Sequence, residues 1–354
     1  MDELARFLVT PESSIHEVIA CIDRNAKGIA LVVDEMHRLI GTVTDGDIRR
    51  AILAGLNLDL PVQALLEFRA SMPYSPLTAP VGTPDAELLR MMNEYAIRHI
   101  PLLDETGRVV DIAFLSDLVR EYELPLTAVV MAGGYGMRLR PLTEKLPKPL
   151  LPVGGRPLLE LIIEQLRQVG IRRVNLTTHY KGDLIAQHFG DGRDFGLEIH
   201  YINEDQPLGT AGALGLLDIS DDPLLVINGD ILTRVDFRAM LEFHREQQAD
   251  MTVAVRQYEF RFPYGVVETD GIAITGVLEK PVVRYFINAG IYLLNPEVCR
   301  FVPNGQPYNM PDLISRLIAE SRRVVSFPIW EYWLDIGQSA DYRQAQKDIQ
   351  EGRI

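Results

Sequence analysis

The chain has 354 residues, of which 47% are hydrophobic and 24% charged, as in an ordinary globular protein of two or three domains. Its 35 basic and 49 acidic residues give a formal charge of −14, which argues against nonspecific binding to nucleic acid or to an anionic membrane. The two cysteines are too few for a disulfide framework or a thiolate metal site. Neither a signal peptide nor an apolar run long enough to span a membrane is visible. We therefore expect a cytoplasmic protein without nucleic-acid or membrane partners.

An internal repeat occupies the first third of the chain, at an offset of 70 residues. Residues 31–40 match residues 101–110, and the same offset pairs Asp47 with Asp117. Each copy is predicted to form a helix, a strand, a turn, a second strand and another helix. One copy is too small to bury its own sheet well, so the two copies together are expected to form one module.

This repeat resembles a tandem pair of cystathionine-β-synthase-type (CBS) domains over residues 8–121, most specifically in the segment GTVTDGDIRR at 41–50. The resemblance implies an α+β module, taken as residues 1–121. It also implies that Thr44 and Asp47 hold the phosphate and ribose of a regulatory adenine nucleotide. The alternative is that Asp47 only caps the following helix. In the second copy Phe114 replaces the threonine, and there the capping role is favoured for Asp117. CBS pairs can also serve only as dimerising platforms.

A second pattern begins after Pro125, which is predicted to break the chain. We place the domain boundary near residue 122 and assign residues 122–354 to the second domain. A buried strand at 127–131 leads directly into Gly133, Gly134 and Gly136, and glycines in such a position let backbone N–H groups approach a phosphate closely. The spacing fits neither a P-loop nor a dinucleotide fingerprint.

Basic residues follow this glycine loop. Arg138 comes first, and Lys148 lies between two prolines that restrict its backbone. Arginine and lysine side chains converging on a glycine loop suit the charge of a triphosphate.

The full string from Gly133 to Pro149, with its glycines, arginine and Pro-Lys-Pro, resembles the signature of sugar-1-phosphate nucleotidylyltransferases. The resemblance extends over residues 126–345 and implies an α/β domain with a Rossmann-like mixed sheet. It further implies that Arg138 and Lys148 are catalytic and stabilise the phosphates during transfer. The nucleotide-binding residues that it implies are Ala132, Gly133, Gly134, Gly136, Glu204, Gly209 and Thr210.

Glu204 or Gln206 is expected to read the edge of the base. The segment Pro-Leu-Gly-Thr-Ala-Gly at 207–212 resembles guanylyltransferases that act on mannose-1-phosphate and related sugars. The alternative for this segment is a tight turn in which Thr210 caps a following helix.

Two aspartates are candidates for binding Mg²⁺, which proteins usually hold with one or two carboxylates plus substrate phosphates. Asp230 ends the apolar strand Leu-Leu-Val-Ile-Asn-Gly-Asp, where a carboxylate faces the ligand crevice of an open α/β sheet. Asp335 lies in Trp-Leu-Asp-Ile-Gly, which resembles the family's Trp-x-Asp-x-Gly segment. Either residue alone would be interpreted as a cap or turn. The histidines form no zinc-binding spacing.

The resemblance also implies a sugar site, formed by Gly265, Glu279, Lys280 and Asn288. The alternative is an ordinary hairpin with an exposed ion pair. The resulting hypothesis is direct nucleotidyl transfer, in which a sugar-1-phosphate oxygen attacks the α-phosphorus of an NTP and pyrophosphate leaves. GTP with glucosamine-1-phosphate or mannose-1-phosphate is favoured, and UTP, dTTP and CTP are alternatives.

A hypothesis from another class is a catalytically silent subunit that senses adenine nucleotide through the CBS pair. It ranks lower, because the chain keeps the loop arginine, the lysine and both aspartates. A homo-oligomer is expected, since CBS pairs often associate.

Overall fold

The computed structural model describes residues 2–70, 76–118, 123–218 and 221–354. They divide into two compact units, Met1–Glu123 and Leu124–Ile354. The boundary predicted near residue 122 lies outside the described residues, so the assignment of residues 1–121 and 122–354 to two domains stays a prediction. None of the described helices is both long enough and apolar enough to cross a membrane.

The first unit contains two small three-stranded sheets and their helices. Its elements are α1 Asp2–Ala5, β1 Leu8–Val9, α2 Ile15–Asn25, β2 Ile29–Val33, β3 Leu39–Thr44, α3 Asp45–Leu53, α4 Val62–Ala70, β4 Ala79–Pro80, α5 Asp85–Glu94, β5 His99–Leu103, β6 Val109–Phe114 and α6 Leu115–Leu118. Strands β2 and β3 match β5 and β6 at the offset of 70 residues, and in each copy the first strand pairs in parallel with the second and the third is antiparallel.

The two copies of the repeat join through their hairpins. Leu39 donates its N–H to the carbonyl of Gly107, and Val109 donates to the carbonyl of His37. One apolar cluster contains Leu31 of the first copy together with Ile112 of the second. The two copies therefore share one apolar cluster, while a second cluster with Leu88, Met92 and Ile100 lies within the second copy.

The second unit is built on a seven-stranded mixed sheet with helices on its faces. Its elements are β7 Thr127–Met131, β8 Pro152–Val153, β9 Arg156–Pro157, α7 Leu158–Gln168, β10 Arg173–Thr178, α8 Gly182–Phe189, β11 Glu198–Asn203, β12 Leu224–Asn228, β13 Ile231–Thr233, α9 Phe237–Glu246, β14 Met251–Arg261, β15 Val266–Asp270, β16 Ala273–Leu278, β17 Val282–Leu294, α10 Met310–Ala319, β18 Val324–Ile329, β19 Trp333–Asp335 and α11 Ser339–Gln350.

The central strands β7 and β12 are apolar on both faces, as strands covered by helices on both sides must be. Alternate residues of β7 enter two different cores: Val130 packs in one and Val129 in the other. The strand order is β11-β10-β7-β12-β17-β14-β18, with β11, β10, β7 and β12 parallel and β17 antiparallel to β12. The prediction of an α/β domain with a mixed sheet is confirmed.

The strand order changes direction between β7 and β12. From β7 the chain moves outward to β10 and β11, and then returns to the other side of β7 as β12. Helices that connect strands on opposite sides of such a point diverge and leave a crevice at the carboxyl ends of the strands. The segments after β7 and β12 carry the glycine loop and Asp230, so both lie at this crevice.

Candidate active site

The glycine loop makes a sharp turn after β7 that is fixed to the following segment. Gly136 has φ of +64°, a left-handed conformation that favours glycine. A Cβ at Gly136 would lie 2.8 Å from the Cγ2 of Thr143, whose hydroxyl donates a 2.9 Å hydrogen bond to the Gly136 carbonyl. No atom lies within 4 Å of where a Cβ of Gly134 would stand, so that backbone is open to a ligand. Ala132 is buried and its N–H bonds to Thr177 of β10.

Lys148 and Asp230 meet in an ion pair at the crevice. Lys148 opens a 3₁₀ turn after Pro147, and its Nζ lies 2.5 Å from the Oδ2 of Asp230. The side chains are 12% and 25% exposed, so the pair is partly shielded from solvent. Asp230 reaches this position because Gly229 passes very close to β7. A Cβ at Gly229 would lie 2.8 Å from the carbonyl oxygen of Met131.

Asp335 lies beside Asp230 because two short strands pair there. Strands β13 and β19 are antiparallel with Ile231 opposite Asp335, and Ile336 donates its N–H to the Asp230 carbonyl at 3.0 Å. Within the described ranges, no hydrogen bond reaches the Asp335 carboxylate. Partial desolvation and the negative charge of Asp230 raise the pKa of Asp335.

Arg138 completes a cluster of four charged side chains. Its Nη1 and the Oδ1 of Asp335 each lie 3.6 Å from the position that a Cβ would take at Gly337. The charges of Lys148 and Arg138 oppose the upward shift of the Asp335 pKa. The structure therefore brings together Arg138, Lys148, Asp230 and Asp335, which lie nearly two hundred residues apart in sequence, at the end of the central strands.

The side chain of Glu204 lies against the glycine loop at Gly133. It follows β11, is 8% exposed, and accepts the N–H of Leu208 through Oε2 at 3.0 Å. Its Oε1 lies 3.1 Å from where a Cβ of Gly133 would stand. Gln206 is directed elsewhere and donates to the carbonyl of Gly305. Of the two candidates for reading the base, Glu204 is the one beside the glycine loop.

The Gly209–Thr210 segment is held by the loop before α10. Gly209 has φ of +75°, and a Cβ there would lie 2.5 Å from the Oδ1 of Asn309. The Thr210 hydroxyl accepts the N–H of Met310 at 2.9 Å and so caps α10. The alternative in which Thr210 caps its own following helix is not observed, because that segment is a short 3₁₀ turn, Gly212–Leu216, which no side chain caps.

An open cavity of about 420 Å³ lies between this segment, the end of β12 and β19. Two carboxylates, Asp312 and Asp335, are its charged lining residues. The other residues that line it are Thr210, Asn228, Ile231, Asn288, Ala289, Gly290, Tyr292, Asn309, Pro311 and Trp333.

The predicted sugar residues divide into two groups. Asn288 lines the cavity, where its Oδ1 accepts the N–H of Gly290 at 2.9 Å. Gly265, Glu279 and Lys280 are exposed on a long β-hairpin, and Glu279 lies beside Gly265, with Oε2 3.1 Å from where its Cβ would stand. Among the described residues these three are not part of the cavity lining. In this structure the hairpin carries them away from Asn288.

Three cavity residues were missed by the sequence analysis. Asn228 precedes Gly229 at the end of β12, and its buried Oδ1 has no hydrogen-bond partner. Its position directly before the Gly-Asp pair could have identified it. Asn309 and Asp312 form the capping box of α10, a pattern that predicts a helix start. Only the tertiary packing of α10 on the 208–212 loop brings them to the cavity.

Thr44 and Asp47, the predicted regulatory pair in the first unit, form hydrogen bonds with each other, and Asp47 also forms ion pairs with neighbouring residues. Asp47 is 4% exposed and accepts hydrogen bonds from the N–H and hydroxyl of Thr44, at 2.9 and 2.8 Å. Arg50 and Arg69 also bind its two oxygens, at 2.8 and 2.7 Å. Thr44 and Asp47 form the capping box of α3, which is the structural alternative foreseen for them.

The second copy has a different arrangement at the equivalent position. Lys27 of the first copy lies 2.9 Å from Asp117 and 4.5 Å from the centre of the Phe114 ring. Asp117 therefore forms an exposed ion pair with the first copy, and its predicted role as a helix cap stays a prediction.

Comparison with known proteins identifies both parts of the chain. The family described as nucleotidyl transferase matches residues 127–352, and the chain belongs to that family. CBS-domain matches cover residues 6–54 and 70–124. The resemblances stated from sequence are thereby confirmed.

Several relatives are similar to the second unit. A mannose-1-phosphate guanylyltransferase of Mycobacterium tuberculosis is 34% identical over 233 residues, which are 64% of this chain and 65% of that protein. A UTP–glucose-1-phosphate uridylyltransferase of Synechocystis is 33% identical over 245 residues, 63% of either chain. The chain thus spans slightly less than two thirds of these relatives. The crystal structure of HddC from Yersinia pseudotuberculosis has a TM-score of 0.50, with 25% identity over 63% of this chain and 99% of HddC.

The close approach of β12 to β7 generates a stability prediction. Gly229→Ala should destabilise the second unit by about 1–3 kcal/mol, because its Cβ would contact a backbone carbonyl that cannot move freely. Gly134→Ala is the matched control, with no atom in the way and an expected change within about 0.5 kcal/mol. Both tryptophans, Trp330 and Trp333, lie in the second unit, so denaturant unfolding followed by tryptophan fluorescence reports on it. Equal stability of the two variants would contradict the prediction.

Proposed function

We propose that the protein catalyses nucleotidyl transfer from an NTP to a sugar-1-phosphate, releasing pyrophosphate and an NDP-sugar. The observation that carries this proposal is the meeting of an open glycine loop with the Lys148–Asp230 ion pair and Asp335 in one crevice. Direct transfer between phosphates requires positioning and charge neutralisation rather than a covalent nucleophile. The cytoplasm, where such substrates occur, is the location that this reaction implies.

In this proposal the glycine loop binds the triphosphate through backbone N–H groups near the open Gly134. Arg138 and Lys148 stabilise the negative charge that develops on the α-phosphoryl group and on the pyrophosphate as the bond breaks. Lys148 is restricted by its flanking prolines and by Asp230, so its ammonium needs little reorganisation when the substrate arrives.

The carboxylates of Asp230 and Asp335 fit a magnesium ion. Desolvation and, after it, the negative charge of Asp230 raise the pKa of Asp335, and a divalent cation would offset that repulsion. Among the described residues, no group of three or more His, Cys, Asp or Glu side chains could hold a metal by itself. Two carboxylates completed by substrate phosphates are the usual arrangement for Mg²⁺. When bound, the ion would neutralise phosphate charge and act as a Lewis acid.

Guanine is the base that we favour. The Watson–Crick edge of guanine presents two adjacent donors, the N1–H and the 2-amino group, whereas uracil and thymine present one donor between two acceptors. An ionised carboxylate only accepts hydrogen bonds, so Glu204 suits guanine better than a pyrimidine. Its fixed orientation through the Leu208 N–H supports this role. UTP, dTTP and CTP remain the alternatives for the nucleotide.

We place the sugar in the 420 Å³ cavity beside Asn288. Polar side chains such as Asn228 and Asn309 can bind hydroxyl groups there. Asp312 is a carboxylate on the wall of this cavity, and the ammonium group of glucosamine-1-phosphate would complement its charge. Glucosamine-1-phosphate is therefore favoured over mannose-1-phosphate. Gly265, Glu279 and Lys280 can contribute to the sugar site only if the hairpin that carries them bends toward the cavity.

Replacement of Lys148 tests the reaction. Lys148→Ala should lower the rate of pyrophosphate release by about 100-fold or more, since it removes a preorganised charge from the crevice. Lys347→Ala is the matched control, because Lys347 forms an exposed ion pair on α11 and should have no effect on the rate. Circular dichroism of both variants checks that the fold is intact. Near-normal turnover of Lys148→Ala would overturn the proposal.

Replacement of Glu204 tests the choice of nucleotide. In a panel of GTP, UTP, dTTP and CTP with glucosamine-1-phosphate and mannose-1-phosphate, GTP should give the highest kcat/KM. Glu204→Gln should reduce the preference for GTP over UTP by about 10-fold or more, because a charge-assisted hydrogen bond to guanine is lost. An unchanged ratio would show that another group reads the base.

For the first unit we propose weak binding of AMP, ADP or ATP, with Thr44 and Asp47 contacting the ribose or phosphate. Such a ligand must compete with Arg69 and the Thr44 hydroxyl for the oxygens of Asp47. That competition is the physical reason to expect weak affinity. In the second copy a ligand would have to compete with Lys27 for Asp117, and Phe114 offers no hydroxyl where Thr44 stands in the first copy.

Calorimetry of the full chain with AMP tests this regulatory site, because AMP lacks the triphosphate that the glycine loop would bind. We expect weak binding heat that is lost in Thr44→Val, which removes the hydroxyl from the predicted site. No heat with the unmodified chain would remove the regulatory role and leave the CBS pair as a structural platform.

A further inference from the structure

Three consecutive residues after β10 reach across to the glycine loop. His179, Tyr180 and Lys181, here called the clasp, connect β10 to α8, and each is half-buried. Strand β10 lies beside β7 in the sheet, with Thr177 opposite Met131, so the clasp and the glycine loop leave the sheet side by side. The proposed reaction gives none of the three clasp residues a role.

The clasp holds Tyr135, the residue between Gly134 and Gly136 in the glycine loop. The Tyr135 hydroxyl lies 3.0 Å from the Nε2 of His179. Its ring packs edge to face on the His179 ring, with 5.4 Å between centroids, and contacts the Tyr180 ring at 5.5 Å. Tyr135 is therefore fixed by a polar and an aromatic contact on the same side.

The clasp also holds the chain beyond the turn at Gly136. Lys181 has φ of +53°, a left-handed conformation that is uncommon for a residue other than glycine. From there its Nζ donates a hydrogen bond to the carbonyl of Glu144 and lies 5.2 Å from the centre of the Tyr180 ring. Contacts at Tyr135 and at Glu144 thus fix the loop on both sides of its turn.

His179 connects the loop to Glu204, the candidate reader of the base. Its Nδ1 lies 2.7 Å from the carbonyl oxygen of Glu204, whose own N–H donates to the carbonyl of Thr178 at 2.9 Å. Because a carbonyl oxygen only accepts hydrogen bonds, Nδ1 carries a proton, and in the neutral ring Nε2 then accepts from the Tyr135 hydroxyl. One imidazole therefore bonds to the glycine loop and to the backbone of Glu204 at the same time.

A loop rich in glycine loses much conformational freedom when a ligand orders it. Any contact that restricts the loop beforehand makes binding tighter, since less entropy remains to be lost. Tyr135 supplies such a restriction through its side chain. The backbone at Gly134 stays open to a ligand, because no atom lies within 4 Å of where a Cβ would stand.

We propose that Tyr135 and His179 are positioning residues that preorganise the glycine loop for the triphosphate of the nucleotide. His179 also positions Glu204 for the base. This role rests on the proposed nucleotidyl transfer but concerns only the binding of the nucleotide. Loss of the bond between Tyr135 and His179 should therefore weaken all NTPs equally, while loss of the whole imidazole should also reduce the discrimination between bases.

Two conservative variants test the bond between the loop and the clasp. Tyr135→Phe removes the hydroxyl and keeps the ring, whereas His179→Asn removes Nε2 and keeps a donor near Nδ1 for Glu204. Each should raise the KM for every NTP by about 5–10-fold, with kcat and the KM for the sugar-1-phosphate within about two-fold of the unmodified chain. Tyr201→Phe is the matched control, since the Tyr201 hydroxyl donates to the Gly190 carbonyl at 2.8 Å, outside the clasp, and its loss should leave these values unchanged.

The double variant and the larger deletion separate a positioning role from a general loss of structure. Tyr135→Phe combined with His179→Asn should be no worse than either single variant, because both remove the same hydrogen bond. His179→Ala should in addition lower the ratio of kcat/KM for GTP to that for UTP by about 5-fold or more, since Glu204 is also released. Additive effects in the double variant, or an unchanged nucleotide KM in both single variants, would overturn the inference.

Calorimetric binding of GTP to the full chain tests the clasp without turnover. The dissociation constant should rise by about 5–10-fold in Tyr135→Phe and stay constant in Tyr201→Phe. An unmodified chain that binds GTP in this way but forms no NDP-sugar would contradict the proposed reaction and still support the clasp. Equal GTP affinity of Tyr135→Phe and the unmodified chain would overturn the role of the clasp even if the reaction proceeds.

Discussion

The ion pair between Lys148 and Asp230 is the interaction on which the crevice depends. The backbone pairing of β13 and β19 holds Asp230 and Asp335 side by side, and the charge of Asp230 disfavours ionisation of Asp335. Lys148 offsets one of these charges at 2.5 Å in a partly shielded position. Removal of the lysine would leave Arg138 as the remaining cation beside two neighbouring carboxylates, a less favourable arrangement than the loss of an exposed ion pair.

The fold positions these charges through a close approach of the chain just after β12 to the end of β7. Gly229 lies against the carbonyl of Met131, and no side chain fits between β12 and β7 at that point. The approach occurs where the strand order changes direction, which is also where connecting segments diverge and leave room for a ligand. The same topology thus creates the crevice and delivers the glycine loop and Asp230 to it from adjacent strands. Glu204 arrives from β11, at the edge of the sheet, and limits the crevice on the side of the loop.

The sequence predicted those parts of the fold and site that a short, contiguous stretch of residues encodes. The repeat at an offset of 70 residues located four strands, and the glycine loop with its basic residues followed from a contiguous string. Asn309 and Asp312 could not be found in this way, because a capping box looks the same whether or not its helix faces a cavity. The long hairpin formed by β14 and β17 shows another limit. Alternating apolar residues predict strands, but they do not show whether other strands extend far enough to cover them.

Asp47, which is buried, and Asp335, which is exposed, illustrate how satisfied and unsatisfied carboxylates differ. Asp47 is bound by two arginines and by both polar groups of Thr44, so its charge is balanced by the fold itself. Asp335 accepts no hydrogen bond within the described ranges and lies beside a like charge, and its pKa is raised. A raised pKa of this kind means that the surroundings of Asp335 disfavour its charged form, which a nearby cation would stabilise. The same residue type therefore caps a helix in the first unit and lies beside a like charge in the second, because the surrounding residues, rather than the aspartate, decide where the compensating charge comes from.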